Sequence, residues 1–159
     1  MSDKKLAIIA TKGTLDWGYP PFILASTAAA LGYEVQIFFT FYGLQLLKKQ
    51  IKVNVSPLGN PGMPMPMGMD KWFPVIGTAI PGMQSIMTMM MKSKMKNKGV
   101  ASLEELREMS IESEVKMIAC QMTVDLFDLN TADFIDGLEY GGAATFFEFA
   151  GESDICLFI

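Results

Sequence analysis

The sequence contains no histidine and only two cysteines among its 159 residues. Without an imidazole the chain cannot carry a Ser-His-Asp triad, a Cys-His pair or most catalytic zinc sites. Cys120 and Cys156 are far apart and form no Cys-x-x-Cys pair, so neither a disulfide framework nor a zinc ribbon is indicated. We expect no metal and no cofactor. What remains is a cytoplasmic thiol protein whose nucleophile works without imidazole.

Charge is divided unequally along the chain. Residues 1–98 hold eleven lysines against four acids, whereas residues 99–159 hold two basic residues against thirteen acids. The lysine cluster KSKMKNK (92–98) contains no aromatic residue and belongs to a protein of net charge −4. Nucleic acid is therefore not expected as a partner, and scattered solvated charge is the simpler interpretation of the asymmetry.

Apolar runs and helix signals follow one another in the order of an α/β protein. The run KLAIIAT (5–11) lacks polar alternation, which is typical of a strand covered on both faces. A helix is predicted from Pro20 to Gly32, followed by a strand at 33–41 and a short helix at 42–50. A strand, helix and strand within about 40 residues form a βαβ unit, which favours a parallel sheet.

A Met- and Pro-rich insert interrupts this order at about residues 54–98. Its decapeptide NPGMPMPMGM (60–69) is too rich in Pro and Gly for a regular element. From Met83 onward a helix is predicted, with an apolar face and an opposite polar face. The apolar face contains Met83, Ile86, Met87, Met90 and Met91, and the polar face contains Gln84, Ser85, Thr88 and Lys92.

The stretch 72–91 is twenty residues without a charge, which is long enough to span a membrane. Its prolines and its amphipathic stripe instead favour an oligomer interface, a lid over the thiol site, or contact with a membrane surface through residues 72–98.

Regular order resumes after the insert. Ser102 and Glu105 have the spacing of a capping box, so a helix is predicted to start there. A strand follows at 115–120, then one or two short helical turns within 123–137. A helix within 141–151 and a closing strand at 154–159 complete the chain, which we expect to be a single domain spanning 1–159.

Cys120 lies where a strand is predicted to end and a helix to begin, in KMIACQMTVD. Ligands of open α/β sheets bind at that edge. Thr123 is a plausible N-cap, which would direct the backbone amides of Gln121, Met122 and Thr123 toward the sulfur. Free amides and the helix dipole favour a thiolate. The alternative is a small buried hydrophobe, and position alone does not decide between them.

Two further residues are weaker candidates. Lys12, in the loop after the first strand, could supply positive charge beside Cys120, although an ordinary surface lysine is the simpler interpretation. Cys156 lies inside the apolar run ICLFI, where a cysteine more often belongs to the core. Its functional alternative is a second sulfur carrier or a resolving thiol.

Four separated segments carry a resemblance to a known family: LAIIATKG, ALGYEVQIFFTFYGLQLLKK, VKMIACQMTVDLFDL and IDGLEYGGAATFFEFAGESDICLFI. The chain resembles the DsrE/DsrF/DsrH-like family, and in particular its DsrE-type branch with a Met-rich insert. The resemblance covers nearly all of the chain outside about 54–98. It implies a flavodoxin-like α/β fold of about five mostly parallel strands with helices on both faces, in a homo- or hetero-oligomer.

The resemblance also implies a function. In this family a cysteine receives sulfane sulfur as a persulfide and passes it to the next protein in the cytoplasm, and that cysteine corresponds to Cys120. Cys156 matches a second cysteine of the branch. The partners implied are proteins that donate and accept sulfur.

Two other functions stay open. The first is a non-enzymatic oligomeric module that docks a membrane or a partner protein through its Met-rich insert. The second is a flavodoxin-like nucleotide or flavin binder, which is disfavoured because no Gly-rich phosphate fingerprint follows the first strand.

Overall fold

A computed structural model describes residues 4–56 and 80–159 of the chain. The strands in these ranges are β1 Lys5–Ala10, β2 Glu34–Phe39, β3 Lys116–Cys120, β4 Glu139–Gly141 and β5 Ile155–Phe158. The α-helices are α1 Leu15–Ala30, α2 Met83–Asn97, α3 Leu103–Glu112, α4 Gln121–Leu126 and α5 Ala143–Ala150. Two 3₁₀ helices span Phe41–Leu47 and Thr131–Asp133.

The five described strands form one parallel sheet in the order β4-β3-β2-β1-β5. Each of the first three strands is followed by its neighbour in the sheet, and the chain then crosses from β4 to the far side of β1. The predicted α/β class, with about five mostly parallel strands, is therefore confirmed. Because all strands run the same way, their carboxyl ends meet at one edge of the sheet.

The two faces of the sheet are covered unequally. Helices α1 and α3 pack side by side over one face and enclose the larger core. The other face holds a small cluster, covered in part by α5: Ala7, Phe38, Ile118, Cys120 and Phe146. Alternation along the strands sends Cys120 to this thinner side.

Helix α1 begins at Leu15, five residues before the predicted start at Pro20. The buried stripe of the helix explains the difference, because Leu15 and Gly18 already belong to it. Gly18 lies so close to Leu46 and Leu103 that a Cβ there would collide with them. Pro20 and Pro21 lie inside the helix and have no N–H to donate, and the stabilisation from this tertiary packing outweighs the loss of those two hydrogen bonds.

Strand β2 and the helix after it lie close to their predicted positions, but the helix is of a different type. The predicted strand at 33–41 ends at Phe39, and the short helix expected at 42–50 is the 3₁₀ helix Phe41–Leu47. Strand β4 was not predicted, since its three residues are too few to show a pattern. The decapeptide 60–69 lies outside the described residues.

Helix α2 starts at Met83 as predicted, and its inward face matches the predicted apolar face in part, since Met87 and Met91 pack against the larger core. Ile86 and Met90 are exposed, and the buried Thr88 takes their place. Its hydroxyl accepts a hydrogen bond from the Val55 N–H at 3.0 Å, and Gln84 donates to the Val55 carbonyl at 2.8 Å. The polar part of the inward face was missed because these two side chains satisfy the backbone of residue 55, a demand that apolar periodicity does not reveal.

The capping box of α3 is confirmed. The Glu105 N–H donates to Ser102 Oγ at 3.2 Å, and the Ser102 N–H donates to Glu105 Oε2 at 2.7 Å. Within residues 4–56 and 80–159, no helix has both the length and the apolar character that a membrane span requires.

Candidate functional site

Cys120 ends β3 and is itself the N-cap of α4, with no loop between strand and helix. The prediction that Thr123 caps this helix is therefore wrong. The strand runs directly into the helix, which begins at Gln121, so that Thr123 becomes its third residue and is fully buried. The predicted strand-to-helix junction itself is confirmed.

The thiol of Cys120 is surrounded by donors to an anion. Burial pushes the pKa of Cys120 up, but four hydrogen bonds outweigh burial and hold the pKa below its ordinary value. The donors are the hydroxyl and N–H of Thr123, the hydroxyl of Thr40 and the N–H of Met122. Hydrogen bonds to the charged form favour it, which is how a thiolate is stabilised without a histidine.

Thr40 belongs to this site and was missed from sequence. In the sheet register Phe39 lies opposite Ala119, so the residues that follow, Thr40 and Cys120, leave the sheet side by side. The Thr40 and Thr123 hydroxyls are 3.3 Å apart. The available signal was a threonine near the end of the predicted strand 33–41, which in a parallel sheet reaches the same edge as the cysteine strand.

Two of the predicted site residues have side-chain partners away from the sulfur. The Lys12 ammonium lies over the Trp17 ring, 3.4 Å from its centroid, in a cation–π contact. Gln121 was expected to contribute its backbone N–H, and its side chain donates to Asp125 Oδ1 at 2.7 Å. A contribution of the Lys12 ammonium or the Gln121 N–H to the thiol site stays a prediction.

The sulfur is recessed. Cys120 is only 4% exposed, packed in the thinner core with Phe38 and Phe146. The two elements that follow β2 and β3 carry large exposed side chains: Phe41 and Tyr42 on the 3₁₀ helix, and Met122, Leu126 and Phe127 on and after α4. The ring of Phe127 contacts both aromatic rings of the other element, at centroid distances of 6.2 and 5.9 Å.

Cys156 lies in a different environment. It is exposed in the middle of the edge strand β5, so its assignment to the core is wrong for the isolated chain. An edge strand next to the sparsely covered face leaves the side chain open. Its Sγ donates to the Ala150 carbonyl at 3.6 Å, near the C-terminal end of α5. It therefore faces a hydrogen-bond acceptor where Cys120 faces donors.

The sheet keeps the two thiols apart. Cys156 is level with Ala7, Gln36 and Lys116, whereas Cys120 is four residues farther along its strand. At about 3.3 Å per residue and about 4.8 Å between strands, their Cα atoms are separated by roughly 19 Å. A disulfide needs Cα atoms within about 7 Å. The geometry is therefore incompatible with Cys156 resolving Cys120 within one chain.

These features define a class: a parallel α/β protein with a recessed thiol, at the carboxyl edge of its sheet, held by hydroxyl and amide donors. The chain belongs to the DsrE/DsrF/DrsH-like family, whose model matches residues 2–158. The family inferred from the sequence is thereby confirmed.

Individual proteins extend this comparison. The chain is 80% identical over 159 residues to the sulfur carrier protein DsrE2 of Allochromatium vinosum, and the match covers 100% of both chains. It is 35% identical to the uncharacterized protein YrkE of Bacillus subtilis, over 98% of this chain and 97% of that protein.

Among solved structures, the chain is similar to the ychN protein from E. coli. The TM-score is 0.55 and the identity 12%, over 98% of this chain and 99% of the other. At this identity the similarity is evidence for the fold alone.

Proposed function

We propose that this protein is a sulfur carrier that holds sulfane sulfur as a persulfide on Cys120. The observation that carries the proposal is the set of four donors that lowers the pKa of this thiol. The name of its 80% identical relative, a sulfur carrier protein, agrees with it. Cys156 has no comparable surroundings and is not assigned this role.

The chemistry is an exchange at sulfur. The Cys120 thiolate attacks the terminal sulfur of a donor persulfide, a new S–S bond forms on Cys120, and the donor's S–S bond breaks to release its thiolate. Delivery repeats the step in reverse, with an acceptor thiolate as the nucleophile. Charge and atoms balance in both steps, so neither step needs an oxidant.

The surrounding donors have the same task throughout. A thiolate before loading and a persulfide anion after it both carry negative charge at the edge of the sheet. The hydroxyls of Thr40 and Thr123 and the amides of Met122 and Thr123 stabilise that charge. Because the sulfur is recessed, a donor has to be a small molecule or a cysteine on a narrow, extended segment of a partner protein.

Intact mass spectrometry tests the proposal. Reduced protein incubated with a persulfide donor should gain about 32 Da, one sulfur atom, and dithiothreitol should remove it. Cys156→Ser is the matched control and should load like the wild type, whereas Cys120→Ser should not load. A mass gain that persists in Cys120→Ser places the carried sulfur elsewhere and rejects the mechanism.

We also propose that the protein assembles with copies of itself through the edge of the sheet at β5. Among the strands of residues 4–56 and 80–159 this strand has one neighbour, and its Phe158 is 74% exposed, as is most of Phe147 on α5. Exposed apolar groups next to an unpaired edge favour association. Sedimentation of Phe158→Ser should show a smaller species, and Leu31→Ser, which changes an equally exposed side chain at the C-cap of α1, should not.

The alternative function is an interaction module that docks a membrane or a partner through the Met-rich insert. The observation in its favour is the outer surface of α2, where Ile86 and Met89 are exposed and Lys92, Lys94, Lys96 and Lys98 follow. Contact through residues 72–98 would then bring the protein to an anionic surface. Flotation with anionic vesicles, lost when the four lysines become glutamine, tests this alternative.

We place the protein in the cytoplasm, where thiols are kept reduced, because its two cysteines are free and the proposed reaction needs a free thiolate. Its partners in this proposal are the proteins that donate and accept sulfur. Thiol labelling of intact cells with a membrane-impermeant reagent checks this, since a cytoplasmic Cys156 should remain unmodified until the cells are lysed.

A further inference from the structure

Phe41 has an unusual backbone. Its φ is +49°, in the left-handed region that bulky side chains rarely adopt. Glycine takes this conformation freely, and asparagine or aspartate take it more readily than other residues. Phe41 is directly after Thr40 and at the edge where Cys120 lies, so the unfavourable conformation falls within the thiol site.

The chain around Phe41 is fixed on both sides. The Thr40 N–H donates to the Ala10 carbonyl at 3.1 Å, and the Gly43 N–H donates to the Thr11 carbonyl at 3.1 Å. A Cβ at Gly43 would collide with the Ala10 carbonyl oxygen, so this turn lies directly against the end of β1. The Phe41 ring itself lies 6.2 Å, centroid to centroid, from the ring of Phe127.

This conformation brings the Phe41 N–H to the Thr123 hydroxyl oxygen at 3.2 Å. A hydroxyl has one hydrogen, and the oxygen that accepts from Phe41 must point that hydrogen elsewhere. The remaining partners are the Thr40 hydroxyl, 3.3 Å away, and the Cys120 sulfur. When the sulfur is an anion it is the stronger acceptor, so the hydrogen turns to it.

We propose that Phe41 is a positioning residue for Cys120: its left-handed backbone directs an N–H into Thr123 Oγ and thereby commits the Thr123 hydroxyl as a donor to the sulfur. The proposal rests on the function proposed above, because it explains how the anion is held. It assigns the role to the backbone of Phe41 and not to its ring.

A series of substitutions at position 41 separates backbone from ring. In a Cys156→Ser background, the rate of Cys120 alkylation by iodoacetamide is measured from pH 5 to pH 10 to give its pH midpoint. Phe41→Gly and Phe41→Asn keep the left-handed backbone and should react within about 1.5-fold of the parent below the midpoint. Phe41→Ala should react about threefold slower there, and Phe41→Val about fivefold slower or more, each with a higher midpoint.

The ring hypothesis gives a different order, since glycine, asparagine, alanine and valine all remove the ring. Equal slowing of the four variants, or no change in any of them, overturns the proposal. If Phe41→Val does not fold, the glycine and alanine variants still decide. The mass gain of the wild type with a persulfide donor is independent of this series, so a flat series with normal loading rejects the role of Phe41 and leaves the sulfur carrier in place.

Discussion

Cys120 and Cys156 project from the same face of one parallel sheet, yet the chain treats them differently. Cys120 occupies the last position of a central strand, where the backbone turns into a helix and amides and hydroxyls converge. Cys156 lies in the middle of an edge strand, exposed, with its thiol directed to a carbonyl oxygen.

The comparison teaches that the position of a cysteine along its strand decides whether donors can stabilise its thiolate, since the residue type is the same in both places. Only where parallel strands stop do side chains from two neighbours, here Thr40 and Cys120, meet outside the sheet. A thiol in the middle of a strand meets neighbours that are already hydrogen-bonded in the ladder. Exposure of a thiol to solvent also does not predict which thiolate is stabilised, since Cys120, whose thiolate is stabilised, is the buried one.

The largest difference that we expect between the two thiols is in their accessibility to a bulky reagent. A maleimide carrying a polyethylene glycol chain should modify Cys156 and leave Cys120 nearly unmodified in the native protein. We expect a difference in rate of at least about 100-fold, because exposing a buried side chain to a bulky reagent requires local opening. Gel shifts of Cys120→Ser and Cys156→Ser measure the two rates separately, and equal rates would mean that Cys120 is not recessed.

The second test removes the Thr123 hydroxyl, which lowers the pKa of Cys120 more than the other donors do. Thr123→Val keeps the shape and the N–H but loses the hydroxyl, so the pKa of Cys120 should rise. At a pH below the midpoint, iodoacetamide should react about tenfold more slowly or more, since a hydrogen bond to a charged group contributes about 1.5–3 kcal/mol. Thr123→Ser restores the donor and should react like the wild type. Unchanged kinetics in the valine variant would remove the hydroxyl from the explanation.

Much of the fold could be predicted because its signals are local. The run before Ala10, the capping box at Ser102 and the strand that ends at Cys120 each depend on nearby residues. The start of α1 could not be predicted, because it depends on the packing of Gly18 against Leu46 and Leu103, which are distant in sequence. Strand β4 is defined by its pairing with β3 and not by its own composition.

The site was only half predictable for a related reason. Cys120 and the amides of Met122 and Thr123 are neighbours in sequence, and a strand-to-helix junction is a local pattern. Thr40 comes from another strand and needs the sheet register to be placed. Lys12 was expected at the sulfur because its loop reaches the same edge of the sheet. Its ammonium lies over the ring of Trp17, a residue five positions away in sequence.

A third test removes the hydroxyl donor that follows the neighbouring strand β2. Thr40→Val removes one hydroxyl donor to Cys120, and the pKa of that thiol should rise less than in Thr123→Val, because the Thr123 hydroxyl lowers it more than the Thr40 hydroxyl does. We expect alkylation about threefold slower below the midpoint. Thr27→Val, a matched change on α1 far from the edge, is the control. An effect larger than that of Thr123→Val would make Thr40 the principal donor.

The smallest expected effect is on stability against pH. The pKa of Cys120 is lowered in the folded protein, whereas an unfolded cysteine titrates near about 8.5. Between these two values the unfolded chain binds the proton and the native protein does not, so stability rises with pH, is complete above the unfolded value and is lost as pH falls through the folded one. One proton can contribute a slope of at most about 1.4 kcal/mol per pH unit.

Urea unfolding of the wild type and Cys120→Ser from pH 6 to pH 10 should show their free energies of unfolding diverging as pH rises, with Cys156→Ser following the wild type. A divergence of the opposite sign would mean that burial, and not the four donors, controls this thiol.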